Sequence, residues 1–340
     1  MKNFRHITSA ILALSLALTL TACGGKKEEA PAESGANAPA EATVEKYLIG
    51  INQYGQHASL DNCRIGFLQG LEEAGLKEGV DFEVDYQNAG FDDNVNAQIG
   101  DAFSAEDVDL MVGIATPSAV ACFNAAEDKD IPVIFTAITD PVQAKLDSGH
   151  VTGTSDKLPV EAQLDLIRQL QPNAKTIGII YTTSEPNSVS AIEEYKAKAP
   201  DYGFEIDVVG VTSQAEVTQA ADTLISHGVD CFSNLTDNNV VGVLAAILEK
   251  TNEAGIPVYG SEIEQVKLGC VASAGIDYVQ LGIQTGLMAA KVLTSQATCQ
   301  ELPYETIAEY GIYVNSADLE AMSITLPDAV AQKAIEASEG

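Results

Sequence analysis

Short apolar runs alternate with amphipathic segments along the chain from Tyr47 onward. The runs have the length of buried strands, and the segments between them carry apolar residues at helical spacing. The predicted strands are Tyr47–Gln53, Phe82–Gln87, Asp109–Ala115, Pro132–Thr139, Thr176–Thr182, Glu205–Val211, Val229–Leu235 and Pro257–Gly260. The predicted helices are Leu60–Ala74, Ser118–Glu127, Val160–Leu170, Ser188–Ala199, Val217–His227 and Val240–Ala254. This alternation predicts βαβ units and an α/β fold with parallel sheets.

The alternation pauses near residues 149–156 and then restarts, which predicts two doubly wound parallel-sheet lobes joined by a three-strand hinge. A second crossing is expected over Gly269–Asp277, a helix over Tyr278–Leu293 would return to the first lobe, and a strand over Thr306–Val314 would cross back. The predicted N-terminal lobe is 45–154 with 276–300, and the predicted C-terminal lobe is 155–275 with 301–340.

The first residues have the pattern of a secretory signal. Lys2 and Arg5 precede an apolar stretch from Ile7 to Leu20, which is too short to span a bilayer of about 30 Å. The ending Leu20-Thr-Ala-Cys23 resembles a bacterial lipobox, in which the cysteine is acylated. We therefore expect a lipoprotein signal peptide over 1–22, and the lipidated Cys23 with a flexible, low-complexity tether over 23–44. The protein would be lipid-anchored at the extracytoplasmic face of the cell membrane.

Charge and cysteine usage exclude several classes of protein. The net charge of −31 argues against nucleic acid as a partner, because a duplex-binding surface needs clustered lysine and arginine. Besides Cys23 there are five cysteines, and none of them forms a CxxC pair, so no metal site is predicted. Buried free thiols are the favoured interpretation, with one chance disulfide left open. The five are Cys63, Cys122, Cys231, Cys270 and Cys299.

Polar side chains gather where the predicted strands end, which is where parallel sheets bind their ligands. The N-terminal lobe contributes Asn52, Gln53, Tyr54, Thr116, Pro117, Ser118, Thr139 and Asp140. The C-terminal lobe contributes Ser184, Glu185, Asn187, Ser188, Thr236, Asp237 and Glu262. Ordinary helix caps and turns would also use these residue types, so each position taken alone is weak evidence for a ligand site.

The balance of charges at these strand ends points to a zwitterion. Arginine is absent from them, so a small anion would be held by helix amino ends, at Thr116–Ser118 or at Asn187–Ser188. Carboxylates such as Asp140, Asp237 and Glu262 would hold an ammonium group, or else sugar hydroxyls. Tyr54 is a candidate stacking wall for a ring. An amino acid fits this combination.

Catalysis is not expected. Besides His6 in the signal, the histidines are His57, His150 and His227, and no nucleophile elbow, P-loop, GxGxxG or HExxH motif is present. His57 follows the first strand, but the neighbouring Ser59 and Asp61 resemble helix-cap residues rather than a triad. We therefore predict a binding protein without a cofactor. A secreted hydrolase that uses His57 stays as an alternative.

Several stretches together resemble the ABC-transporter substrate-binding lipoproteins of the tryptophan/tyrosine type. The resemblance lies in Gln53…His57-Ala-Ser-Leu60-Asp61, Ala115-Thr-Pro-Ser-Ala119, Phe135-Thr-Ala-Ile-Thr-Asp-Pro141, Val151-Thr-Gly153, Ser184-Glu-Pro-Asn-Ser188 and Gly275-Ile-Asp-Tyr278. It implies the type I periplasmic-binding fold, and it adds Leu60 and Asp277 to the candidate ligand-binding residues. It also implies a monomer whose two lobes close by a hinge on an aromatic amino acid: tryptophan, tyrosine or phenylalanine. The closed protein would then deliver this amino acid to a permease with a cytoplasmic ATPase.

Other ligands and roles stay open. The chain has His57-Ala-Ser-Leu-Asp61 where the family usually has His-Pro-Ala-Leu-Asp, so branched-chain or other amino acids remain possible. A sugar or nucleoside binder of the same fold would also use Asp, Asn and aromatic residues. A sensor without transport, signalling to a membrane kinase, would bind its ligand equally well. A LacI-like repressor shares the fold but has a DNA-binding headpiece that this sequence lacks.

Overall fold

A computed structural model describes residues 46–307 and 309–337 of the chain. The strands are β1 Tyr47–Gln53, β2 Phe82–Asn88, β3 Leu110–Ile114, β4 Val133–Thr136, β5 Val151–Ser155, β6 Thr176–Thr182, β7 Glu205–Val211, β8 Cys231–Ser233, β9 Val258–Glu262, β10 Ala272–Ile276, β11 Glu305–Thr306, β12 Gly311–Val314 and β13 Ala334–Glu336. The helices are α1 Ala58–Glu73, α2 Asp93–Ala105, α3 Thr116–Ala126, α4 Val160–Leu170, α5 Pro186–Lys198, α6 Gln214–His227, α7 Asn238–Val241, α8 Leu244–Ala254, α9 Ile263–Leu268, α10 Tyr278–Leu293, α11 Ser316–Ala321 and α12 Asp328–Ala331. The predicted signal peptide, Cys23 and tether lie outside the described residues.

The strands form two separate sheets. The first has the order β11-β5-β4-β3-β1-β2, and the second has the order β13-β12-β10-β9-β8-β6-β7. All pairs in the described chain are parallel except β10 with β12. Helices lie between most consecutive parallel strands, as the alternation predicts, but none lies between β4 and β5. We call the first sheet with α1, α2, α3 and α10 lobe 1, and the second sheet with the remaining helices lobe 2. The predicted α/β fold with two parallel-sheet lobes is confirmed.

Each lobe has its own apolar core. Lobe 1 is organised around β1, β3 and β4, whose apolar side chains are buried on both faces under helices. In lobe 2 the side chains alternate along the strands, so that Ile177 and Ile179 pack on one face and Ile180 on the other. Both faces are covered, which is the reason for the continuous apolar runs in the sequence.

The chain passes between the lobes at three places. It leaves lobe 1 between β5 and α4, returns between β10 and α10, and leaves again between β11 and β12. The strand predicted over Thr306–Val314 is therefore two strands in two sheets, because β11 pairs with β5 while β12 pairs with β10. The residue limits predicted for the lobes stay a prediction.

Helices α1 and α10 pack with their backbones in contact. A Cβ atom on Gly66 would lie 2.1 Å from the carbonyl oxygen of Val279, and one on Gly282 would lie 2.3 Å from that of Cys63. Gly70 and Gly286 make the same kind of contact one turn further along. Only glycine permits this approach, and it fixes the amino ends of both helices at the same edge of lobe 1.

Some elements differ from the sequence prediction. The helix predicted over Val240–Ala254 is divided into α7 and α8 at Gly242 and Val243. Helix α2 was not predicted, although Asp92 caps it by accepting from the backbone N–H groups of Asn94 and Val95. Its apolar positions are few, so the helical period is weak there.

Two further properties of the described residues complete the fold. Cys63, Cys122, Cys231, Cys270 and Cys299 are free, buried thiols, in agreement with the favoured interpretation of the sequence. Within residues 46–307 and 309–337, no helix is both long enough and apolar enough to cross a membrane.

Candidate functional site

A cavity lies between the two lobes at the carboxyl ends of their strands. The cavity is narrow, with a volume of about 10 Å³; the space between its walls is about 310 Å³ when the opening to solvent is counted. Lobe 1 and its crossing to lobe 2 contribute His57, Ser59, Leu60, Ala137, Asp156 and Tyr278. Lobe 2 contributes Asn187, Thr236, Asn238, Val241 and Gln265. A ligand in this cavity would contact both lobes at once.

The amino end of α3 lies behind the wall of this cavity and has no side-chain cap. Ala115 pairs through its backbone N–H with the carbonyl of Thr136, directly before the cavity-lining Ala137. Ala115 and Ala137 both have positive φ, 78° and 59°, a conformation that bulky residues avoid and that occurs at functional sites. No acidic residue lies in the first turn of α3, and within the described chain no hydrogen-bond partner is found for the buried hydroxyl of Thr116. Such an end attracts an anion.

Asp156 places a buried carboxylate on the cavity wall, where the chain first leaves lobe 1. It accepts hydrogen bonds from the hydroxyls of Tyr278, at 2.6 Å, and Thr139, at 3.0 Å. Burial raises its pKa, and these two bonds offset part of that effect. A carboxylate oxygen accepts more than one hydrogen bond, so Asp156 can also receive a ligand cation.

Asn187 presents a fixed acceptor to the cavity. Its Nδ2 atom lies within hydrogen-bond distance of Glu185 Oε2, at 3.1 Å, the Thr236 carbonyl, at 3.2 Å, and Ser188 Oγ, at 3.4 Å. These acceptors use both hydrogens of the amide, so the orientation of the side chain is set. The residue is 5% exposed, and no described residue is hydrogen-bonded to its Oδ1 atom. A buried acceptor without a partner is costly unless a ligand supplies a donor.

Glu185 is the centre of a buried network in lobe 2. Its two oxygens accept from the side-chain amides of Asn187, Asn238 and Asn239, and from the backbone N–H groups of Asn238 and Asn239. All five contacts come from N–H donors, which favours the carboxylate form. Burial and the nearby Asp237 act against it and raise the pKa of Glu185.

His57 reaches the cavity from lobe 1 as a neutral ring. Its Nε2 atom lies 3.5 Å from Oδ1 of Asn238 in lobe 2, and the ring stacks against Phe91. Burial lowers the pKa of His57 to about 4, and the hydrogen bond with Asn238 opposes this only in part. In the described structure no hydrogen-bond partner is found for Nδ1.

Asp237 and Glu262 act within the protein rather than on the cavity wall. Asp237 accepts from Thr182 and Ser188 and caps α7 through the backbone N–H of Val240. Glu262 caps α9 and accepts a hydrogen bond from Ser59 in lobe 1. The sequence patterns of an acidic cap and an acidic ligand contact are the same, so only the contacts separate them.

The remaining predicted site residues lie around the cavity in different roles. Of the whole predicted set, Leu60, Asn187 and Thr236 line the cavity. Asn52, Gln53, Tyr54 and Ser118 are buried and hydrogen-bond inside lobe 1, to partners that include Asn96, Asp61 and Asp93. Pro117 lies in the first turn of α3, Ser184 is exposed, and Asp277 caps α10. Whether these residues contact a ligand stays a prediction.

Thr139 and Asp140 border a second space between the lobes, of about 530 Å³. Asp140 accepts a 2.9 Å hydrogen bond from Ser190 of α5, across the lobes. The crossing strand separates the two spaces, since Asp156 faces the first while Ser155 and Lys157 line the second.

Sequence reasoning did not select several lining residues. Asp156 follows β5, at the point where the chain first crosses between the lobes, and the search for site residues covered only the ends of strongly apolar strands. An acidic residue at a predicted crossing is the sequence feature that could have identified it. Tyr278 begins a helix, and Asn238 and Gln265 belong to short helices that the apolar period does not mark. The described residues hold no cluster of three or more His, Cys, Asp or Glu side chains that could bind a metal ion.

Comparisons with known proteins give a consistent result. Residues 48–338 match the family model described as ABC transporter substrate binding protein. A protein named tyrosine-binding protein from Clostridioides difficile (strain R20291) is 36% identical over 327 residues, which are 94% of this chain and 93% of that protein. Family, length and coverage all agree with the resemblance seen in the sequence motifs.

Two solved structures of similar identity differ in how well they superpose on this chain. A domain from Streptococcus pneumonia in complex with L-Trp is 33% identical and gives a TM-score of 0.83, covering 87% of this chain and all of that one. A ligand-free, open structure of a substrate-binding protein with adhesive properties from Clostridium difficile is 36% identical, but gives only 0.64, covering 85% and 99%. The lower score for the open structure agrees with the direct contacts between the lobes of this chain.

Proposed function

The chain belongs to the family of ABC transporter substrate-binding proteins, and from that premise we propose that it binds an aromatic amino acid between its lobes. The observation that carries the proposal is the cavity between the lobes, in which a buried carboxylate, Asp156, and the uncapped amino end of α3 adjoin the same residue, Ala137. Groups of opposite sign at one cavity suit the ammonium and carboxylate of one amino acid. The tyrosine-binding relative and the tryptophan complex support an aromatic side chain.

In this proposal the backbone of α3 near Thr116 holds the ligand carboxylate, because helix amino ends bind anions without arginine. Asp156 holds the ammonium group. It takes the place of Asp237 and Glu262, whose oxygens are engaged in helix caps and in contacts within the protein. The apolar faces of Leu60, Val241 and Tyr278 border the space for the ring.

The mechanism that we propose is hinge closure followed by delivery. The ligand binds one lobe and then bridges to the other, which shifts the open–closed equilibrium by its extra affinity for the closed form. The closed protein then delivers the amino acid to a membrane permease that is driven by a cytoplasmic ATPase. No catalytic step is included, since His57 is engaged with Asn238 and Ser59 with Glu262.

Anchoring by lipid at Cys23 is part of the proposal, with the protein on the extracytoplasmic face as a monomer. The support is the lipobox-like Leu20-Thr-Ala-Cys23 after an apolar segment. Membrane fractions of cells that express a Cys23→Ala variant should lose the protein to the soluble fraction.

Calorimetric titration tests the ligand class. The purified protein is titrated with the proteinogenic amino acids, with simple sugars and with nucleosides. Saturable binding of an aromatic amino acid supports the proposal. Binding of a sugar or nucleoside alone would instead support that alternative. Deletion of the gene for this protein separates transport from sensing. If cells that lack the protein take up the bound amino acid as fast as the wild type, the protein is a sensor and not part of a transporter.

A further inference from the structure

Two residues that line the cavity, one on each lobe, each have a buried atom without a hydrogen-bond partner among the described residues: Nδ1 of His57 and Oδ1 of Asn187. Asn187 is only 5% exposed, and His57 is a partly buried side chain whose Nδ1 atom is itself buried. Neither atom can turn away to water. Each therefore needs a donor that the protein does not supply.

The orientation of both acceptors follows from Glu185. Turning the Asn187 amide over would place its oxygen against the Glu185 carboxylate and the Thr236 carbonyl, and both of these are acceptors. The Nδ2 atom of Asn238 lies 2.7 Å from the same oxygen of Glu185, so the Oδ1 atom of Asn238 must point the other way, toward His57.

The tautomer of His57 is set in turn by Asn238. The ring is neutral, so only one of its nitrogens carries a proton. Nε2 faces the acceptor Oδ1 of Asn238 and therefore carries that proton, which leaves Nδ1 with a lone pair. One buried carboxylate thus determines the hydrogen-bonding character of both walls of the cavity.

We propose that Glu185 is a positioning residue that fixes Asn187 and, through Asn238, His57 as acceptors for a donor on the ligand side chain. The inference rests on the proposed function and deepens it. Asp156 and the amino end of α3 hold the ammonium and carboxylate groups, so these two acceptors are left for the ring end of the ligand. The site then selects aromatic amino acids that carry a ring donor, the phenolic hydroxyl of tyrosine or the indole N–H of tryptophan, and disfavours phenylalanine.

The selection has a physical basis in unpaired groups. A site that is built to hydrogen-bond a polar group rejects the analogue that lacks it, because its own buried acceptors are left without partners. Removing the ring donor from the preferred ligand should weaken binding by about 10- to 100-fold.

The test compares matched ligands on the full-length protein by calorimetry. L-tyrosine is paired with L-phenylalanine, and L-tryptophan with 1-methyl-L-tryptophan, which lacks the indole N–H. We expect the preferred donor-bearing ligand to bind about 10- to 100-fold more tightly than its partner. Equal affinity within the pair would overturn the inference and leave the proposed function intact. If no aromatic amino acid binds, the proposed function fails first and the inference with it.

Two variants test the role of Glu185. Asn187→Leu removes one acceptor, and Glu185→Gln introduces a donor that lets the Asn187 amide turn over. In both, the affinity ratio within the pair should fall toward one, while the affinity for the ligand without a donor is retained. The control is Glu262→Gln, the same change at a buried carboxylate that contacts Ser59 but orients neither acceptor. It should change both affinities by the same factor and keep the ratio.

A purely structural role of Glu185 gives a different result. Both ligands of the pair would then weaken equally in Glu185→Gln and the ratio would stay at the wild-type value, which would contradict the positioning role. Thermal unfolding of each variant shows whether it is folded. If Glu185→Gln does not fold, the affinity ratio of the ligand pair in Asn187→Leu is the test: a ratio near one supports the proposal, and the wild-type ratio contradicts it.

Discussion

The hydroxyl of Ser59 donates a 3.1 Å hydrogen bond to Oε1 of Glu262, and this bond joins the first turn of α1 in lobe 1 to the cap of α9 in lobe 2. Next to it, Asn62 donates to Glu264 at 3.0 Å. Both bonds exist only when the lobes approach each other, so they belong to the closed arrangement. Their number and position suggest that closure is favoured by the protein itself as well as by its ligand.

We expect the double variant Ser59→Ala, Asn62→Ala to shift the ligand-free protein toward an open arrangement. Each lost hydrogen bond lowers the ratio of closed to open protein by about threefold to tenfold, the equivalent of about 0.5–1.5 kcal/mol. Small-angle scattering without ligand should show a larger radius of gyration. Ser226→Ala is the control, since the Ser226 hydroxyl bonds within α6 of lobe 2. Identical scattering curves for the wild type and the double variant would contradict the role of these bonds in closure.

The stability of the protein should depend on pH through Glu262. Burial raises its pKa from 4.5 to about 7. The folded state therefore binds this proton more tightly than the unfolded chain, and the contribution is present in full below pH 4.5 and is lost as pH rises through 7. Relative to the wild type, Glu262→Gln should gain about 1–3 kcal/mol of unfolding free energy between pH 5 and pH 8.

Urea unfolding at the two pH values measures that difference. Glu73→Gln, at an exposed position on α1, controls for the loss of one negative charge. A difference between Glu262→Gln and the wild type that does not change with pH would show that Glu262 is not the titrating group.

Replacement of Asp156 should abolish recognition of the ammonium group. In Asp156→Asn the ligand cation is left buried without its charge partner, so affinity for the amino acid should fall by about 30-fold or more. The affinity for the deaminated analogue of the same ligand should not fall, because it has no cation to pair. Calorimetry with both compounds makes the comparison, and Asp230→Asn, whose carboxylate contacts Lys175 and Thr176, is the control. An equal loss for both compounds would indicate a general disturbance of the site.

Close packing of α1 on α10 should not tolerate a side chain at Gly282. A Cβ atom there would lie 2.3 Å from the carbonyl oxygen of Cys63, which is backbone and cannot move aside. We expect Gly282→Ala to lower the unfolding free energy by about 1–3 kcal/mol through overpacking. Gln280→Ala, at an exposed position of the same helix, should have little effect. Chemical denaturation of both variants measures this, and equal midpoints would mean that the helices can separate without cost.

Local patterns were sufficient for most of the fold. Strands β1, β6 and β7 and helices α4 and α10 begin and end where the apolar periods predict, because their buried faces are long and regular. Helix α9 and the division between α7 and α8 were not predicted. These short helices depend on caps such as Asp237 and Glu262, whose side chains accept from only one or two backbone N–H groups of the helix.

The candidate site was predictable only as a region. Strand ends in a parallel sheet must meet at one edge, so the sequence placed Asn187 and Thr236 at the cavity, and the family resemblance added Leu60. It could not tell which acidic residues there bind a ligand and which cap a helix. Asp156, at the crossing, emerged only when the path of the chain between the lobes was known.

By itself, then, the sequence determined the alternating fold, the two sheets and the edge at which a ligand is expected, because these depend on periodicity and on the ends of strands. Only the tertiary structure decided that Glu185 orients Asn187 and Asn238, that Asn238 meets His57 across the lobes, and that Ser59 contacts Glu262. These contacts join residues far apart in the chain, and a hydrogen bond depends on the position and direction of both partners, which no local pattern specifies.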